Sequence, residues 1–191
     1  CLFPGYISAV VTDSQCPELY SSGRVTGTIN VVDQARFVKQ MEQVRREYPG
    51  RNILDIDLAV LYLQAGRTDK ALSVLRQAQQ HDPTDDHAAF ELAKALEKSG
   101  NLAEAERLYL QTAKAMPDYA QVYYNLGRLK SRQGKAAVSN FYLAKYYLYE
   151  GRVKQAKQYL RQAEKNQQLP SALRNEAEAI LARLKKIEDA S

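Results

Sequence analysis

Tryptophan is missing from the 191 residues, and histidine and cysteine occur only twice each. So few imidazole and thiolate groups leave little from which to build a metal centre. His81 and His87 stand near no cysteine and in no HExxH arrangement, so no metal is expected. No GxSxG, GxxxxGK[ST] or GxGxxG occurs, and the glycine-flanked SSGRVTG over 21–27 has no strand–loop–helix setting for a phosphate. With no catalytic constellation and no cofactor implied, the chain reads as something other than an enzyme. Nine glycines and six prolines are too few for a fibrous or disordered chain. No run approaches the ~20 apolar residues of a membrane span. No basic stretch followed by an apolar core opens the sequence, so an uncleaved signal peptide is not expected. The net charge of +5 is spread along the chain rather than massed in a stripe, which argues against nucleic acid as a partner. Thirteen tyrosines carry most of the aromatic surface. Both cysteines, Cys1 and Cys16, fall in the N-terminal segment. They could close a small loop as a disulfide in an oxidising compartment, or be two unrelated thiols.

What is there is a period. Gly66, Gly100 and Gly134 recur every 34 residues, and then Gly151 follows after 17. In units of 34 over 52–85 and 86–119, Leu58, Ala59, Tyr62, Gly66, Ala71, Leu75, Ala78 and Pro83 are matched by Leu92, Ala93, Leu96, Gly100, Ala105, Tyr109, Thr112 and Pro117. Small residues at three of these places let two antiparallel helices approach closely, and large ones fill the gaps between. Glycine ends the first helix of each pair, and proline stops the second. Asn101 with Glu104 reads as a capping box, and Thr68 as a cap for another helix.

The third unit starts with Tyr123, Leu126, Gly127 and Gly134 and then departs from the pattern. As a second helix, 136–149 would put the bulky Tyr146 where alanine is usual. As a first helix it supplies Leu143, Ala144, Tyr147 and Gly151, with Ala156, Leu160 and Ala163 following as a second helix. The expected layout is therefore a half unit over 120–136, a complete unit over 137–170 and a closing helix over 172–188. The layer taken by 137–149 is left open. Upstream, Phe37, Met41, Val44 and Tyr48 lie on one face of a lead-in helix over 33–48, and 1–32 reads as an irregular arm with a strand-like YISAVVT.

These positions resemble the tetratricopeptide repeat. The resemblance implies an all-α, helical-hairpin solenoid wound as a right-handed superhelix, whose first helices line a concave groove. The inward positions implied for this chain carry aromatic and basic residues: Phe90, Tyr124, Phe141 and Tyr149 beside Lys94, Lys98, Arg128, Arg132 and Lys145. Such a groove suits a polypeptide segment that is apolar with acidic groups. Ile56, Val60 and Glu91 break the set that grips chaperone C-termini.

The lead-in helix ARFVKQMEQVRREY, the shortened unit running into NFYLAKYYLYEGRVKQAKQYLRQAEKN and the last helix ALRNEAEAILARLKKIE together look like the repeat tails of bacterial zinc metallopeptidases. Those enzymes serve outer-membrane protein quality control. The peptidase motif is absent here. The resemblance implies a recognition module in the periplasm or at the outer-membrane periphery, against a cytoplasmic alternative. A lipidated pilus or secretin assembly factor anchored through Cys1 is the competing expectation. Pairing of two copies through the irregular ends stays open.

Overall fold

The computed structural model of the chain describes residues 31–189, with side chains from residue 35 onward. Residues 1–30, which hold YISAVVT, Cys1 and Cys16, lie outside the described residues, and 31–32 are already helical. Every regular element described is an α-helix, as expected. They are α1 (Val31–Glu47), α2 (Asn52–Gln64), α3 (Thr68–His81), α4 (Asp86–Ser99), α5 (Leu102–Ala115), α6 (Ala120–Arg132), α7 (Ala136–Tyr149), α8 (Val153–Lys165) and α9 (Ser171–Asp189). Packing divides the chain into two compact units, Cys1–Pro83 and Thr84–Ser191.

In the first unit α2 packs against both α1 and α3. Ala59, Ala71 and Ala78 are fully buried where the helices cross, and Leu58, Tyr62 and Leu75 fill the space around them. Among the side chains described in α1, Val38 and Met41 are buried; Tyr48 falls beyond the end of the helix and is exposed. The tyrosine therefore does not join the stripe the sequence suggests. Tyr62 Oη donates to Glu42 Oε1 at 2.5 Å. Burial first, and then the neighbouring carboxylate, push its hydroxyl up to about 12.

In the second unit α4 and α5 form a hairpin, α6 packs against both, and each later helix packs on the one before it. Ala93, Ala105, Ala156 and Ala163 are fully buried at the crossings. Asn101 does not make the expected capping box: its Nδ2 bonds Glu104 Oε2 at 2.9 Å and no side-chain cap forms. The side chains satisfy each other, leaving the first amides of α5 without them. Thr68 is the first helical residue of α3 and not its cap.

Helix α7 resolves the broken period. The second helices α3, α5 and α8 open on residues with ψ of 61–70°, whereas the first helices α2, α4 and α6 open on extended residues with ψ of 91–97°. Lys135, ahead of α7, has ψ 64°, so the helix begins like a second one. It ends like a first one: Gly151 takes φ +73°, as do Gly66 and Gly134. There Arg152 N–H bonds back to Tyr147 O at 2.8 Å, just as Arg67 does to Tyr62 and Lys135 to Lys130. Contacts follow the same logic. Ser139 Oγ donates to Gly127 O at 2.8 Å, and Leu143 packs over Gly127, as a second helix should against α6. Toward α8 and α9, α7 stands as α4 does toward α5 and α6: it touches both the next helix and the one after. Its other side joins a core of Phe141, Ala144, Leu160, Ala163, Leu169 and Ala177. One helix thus serves two hairpins. The half-buried Tyr146 fits because it leans on Tyr124 and Tyr147 at ring separations of 5.3 and 5.1 Å instead of entering an alanine-sized gap.

Behind α6, Lys130 is buried and pairs with Glu106 of α5, which also accepts from Gln133 Nε2 at 3.0 Å. Burial alone would raise the Glu106 pKa. The bonds from Lys130 and Gln133 and the charges of Lys130 and Lys135 outweigh it, and the net shift is downward.

Candidate functional site

The groove residues expected from the sequence all lie in the second unit, on α4, α6 and α7. Helical spacing puts Tyr124, Arg128 and Arg132 on one face of α6, four residues apart. Across from them, Glu97 near the end of α4 is 3% exposed. Its Oε2 accepts from Arg128 Nη2 at 3.1 Å and from Tyr109 Oη at 3.0 Å, and its Oε1 accepts from Arg132 Nη1 at 3.1 Å. A carboxylate so deeply placed is tenable only because three donors converge on it. The same carboxylate and the burial around it push the Tyr109 hydroxyl upward, burial being the larger cause, so that it stays a donor.

The two guanidinium groups are held but not enclosed. Arg128 and Arg132 side chains are 51% and 52% exposed, so part of each planar fork still faces solvent. Two cations share one anion, which leaves a positive charge uncompensated within the triad. Tyr124, 41% exposed, offers a ring steadied by Tyr146. Together these make a short stripe with one aromatic face and two preoriented forks, a surface that can take apolar contact and a carboxylate side by side.

The other sequence candidates divide. Phe90 and Phe141, expected to line the groove, are 2% and 1% exposed. Phe90 packs edge-on against Tyr119 at 5.0 Å and beside Tyr109 at 5.8 Å, and Phe141 joins the core between α7 and α9. They are core residues because the same position that faces inward also meets the neighbouring hairpin, where a large ring fills the gap. Lys94 is bound by Glu91 at 2.7 Å and lies over the Phe90 ring. Lys145 is bound by Glu176 of α9 at 2.9 Å and sits 4.7 Å from the Tyr123 ring centre. Neither is an open cation, so the expected basic row is largely neutralised from within. Tyr149 stacks on Tyr123 at 5.2 Å with its other surface exposed, and Lys98 is exposed on α4.

Sequence reasoning met Glu91 only as a departure from the chaperone-gripping set, and it missed Glu97 and Glu176. Glu91 lies one turn before Lys94 and could have been found by that spacing. Glu97 stands 31 residues before Arg128 and 35 before Arg132, close to one repeat length, and counting charges across units would have exposed it. Glu176 sits in the closing helix, outside the repeat, and had no such signal.

Residues 62–132 match the family model for the tetratricopeptide repeat. Among solved structures, a crystal structure of MamA is similar with a TM-score of 0.59 and 20% identity, over 83% of this chain and 91% of that one. A second structure of MamA protein gives 0.58 at 19% identity, over 83% and 84%. A thermophilic TPR protein in Thermus thermophilus gives 0.51 at 18% identity, over 80% and 92%. At such identities the likeness is one of fold. No curated protein matches the chain.

Proposed function

We propose that this chain, as a bearer of tetratricopeptide hairpins, is a non-catalytic scaffold that binds polypeptide segments. The ligand lies on the α4–α6 face of the second unit. The carrying observation is the Glu97 fork. A buried carboxylate fixes two arginines in orientation while leaving half of each side chain in water, so the groups that satisfy Glu97 also present preoriented donors for recognition. Tyr124 supplies the apolar anchor. The segment bound carries an apolar side chain for Tyr124 and a carboxylate within reach of Arg128 or Arg132.

Photo-crosslinking in the native cell tests this. A crosslinker placed at Tyr124 yields adducts that disappear when Arg128→Ala and Arg132→Ala are added, and one at Gln111, exposed on α5, yields none of them. Identical adducts from both positions sink the assignment. With a partner in hand, Tyr124→Ala together with Arg128→Ala weakens binding by about tenfold or more while the helical circular dichroism is unchanged.

The resemblance of 33–188 to the repeat tails of envelope peptidases supports placing this scaffold in an outer-membrane quality-control or assembly system. Cell fractionation that finds the chain only in the cytoplasm overturns that part and leaves the binding surface standing.

A further inference from the structure

On another surface of the second unit, α8 presents Lys154, Lys157, Arg161 and Lys165 at spacings of three and four residues, hence on one face. Between this face and the C-terminal end of α9 lies a trough of about 450 Å³. Gln158 and Gln162 complete its α8 side, and Glu188 of α9 is the one acid among its described lining residues. Lys157 pairs with Glu188. Lys154, Arg161 and Lys165 have no acidic partner among the described residues. Lysines and arginines stacked one turn apart repel, which weakens the helix that carries them. Elsewhere in this unit Lys94, Lys130, Lys145, Arg128 and Arg132 are each met by a glutamate. In the trough, by contrast, three of the four cations that share one face of α8 have no such acid.

We propose that this trough is a second binding site, distinct from the α4–α6 face, and that it takes an acidic polypeptide segment rich in glutamate or aspartate. Three features select that occupant over other polyanions. The cations run along a concavity; from Lys154 to Lys165 they span about 16 Å, the length of roughly five extended residues. No aromatic ring is among its described lining residues, so unpaired bases find nothing there to stack on. No large apolar side chain is among them either, so they offer nothing to insert into a lipid surface. The two glutamine amides suit peptide groups, and Glu188 on Lys157 already shows a carboxylate seated in the trough.

Fluorescence anisotropy of a labelled oligoglutamate peptide with the full chain, across a salt series, tests the site. Lys154→Glu with Arg161→Glu weakens binding by roughly tenfold or more. Arg36→Glu with Lys39→Glu, an equal charge change on exposed residues of α1, alters it by less than about twofold. Circular dichroism checks that both variants fold. If the reversed pair unfolds, Lys154→Gln with Arg161→Gln is read in the same way. Equal losses in the α1 and α8 variants reduce the interaction to net charge and overturn the site. So does tighter binding, through the same α8 residues, of phosphatidylserine vesicles or an oligothymidylate than of the peptide.

Discussion

Gly127 sits inside α6, where glycine normally weakens a helix by about 1 kcal/mol relative to alanine. Its place is explained by what lies opposite. A Cβ there would stand 2.8 Å from Leu143 Cγ and 3.3 Å from Leu143 N. The helix gain from Gly127→Ala is therefore overtaken by overpacking, which costs ~1–3 kcal/mol, and thermal denaturation should show a lower melting temperature. Adding Leu143→Ala relieves the clash but opens space, so the two changes together should be less destabilising than their sum. A rise in melting temperature for the single variant would mean that α6 and α7 do not approach this closely. Much at this scale was readable beforehand. The alanines at 59, 71, 93, 105, 156 and 163 are fully buried, as the small-residue pattern required. Phe90 and Phe141 were not readable in the same way. A ring at an inward position can face the groove or the next hairpin, and periodicity treats the two alike.

Pairs of helices add interactions that no single helix displays. The Lys130–Glu106–Gln133 group ties α6 to α5. Because the folded-state pKa of Glu106 lies below its ordinary value of 4.5, its contribution is complete above that pH. It is lost as pH falls further, through the depressed value. Glu106→Gln should be less stable than the native chain near neutrality, and the gap should narrow in denaturant titrations taken below about pH 4.5. A gap that stays constant into acid would show that the ion pair contributes nothing. The sequence showed the break in the period but left the layer of 137–149 undecided, and the reason is visible in α7. Its opening residue and Ser139 belong to one kind of helix, its closing glycine and Ala144 to the other. A pattern search that assigns each segment a single role had no basis for choosing.

At the scale of the whole molecule, the 34-residue period runs across the division at Pro83 without marking it. Pro83 and Pro117 occupy the same place in successive repeats, yet only the first falls at a boundary between compact units. The period records local hairpin geometry, whereas the division depends on how densely successive hairpins pack. Residues 84–191 contain a core of their own that includes Phe141, Ala144, Leu160 and Ala177. Expressed alone they should keep their helical circular dichroism and melt cooperatively; a broad, non-cooperative melt would show that the first unit is needed to complete that core. Charge was equally hard to read at this scale. Among the described residues, a net +5 spread along the sequence becomes, once folded, several compensated pairs and a row on α8 in which only Lys157 meets an acid.

The two-faced α7 also carries a lesson in construction. Arrays of this kind ordinarily grow by even steps, since each rod needs its mate. A rod that enters as one partner and leaves as the other changes the parity of the count without a gap or an orphaned neighbour. Spliced between two runs of a designed array, residues 135–151 would exchange the roles of all rods downstream, turning what had been the back of the series toward the front.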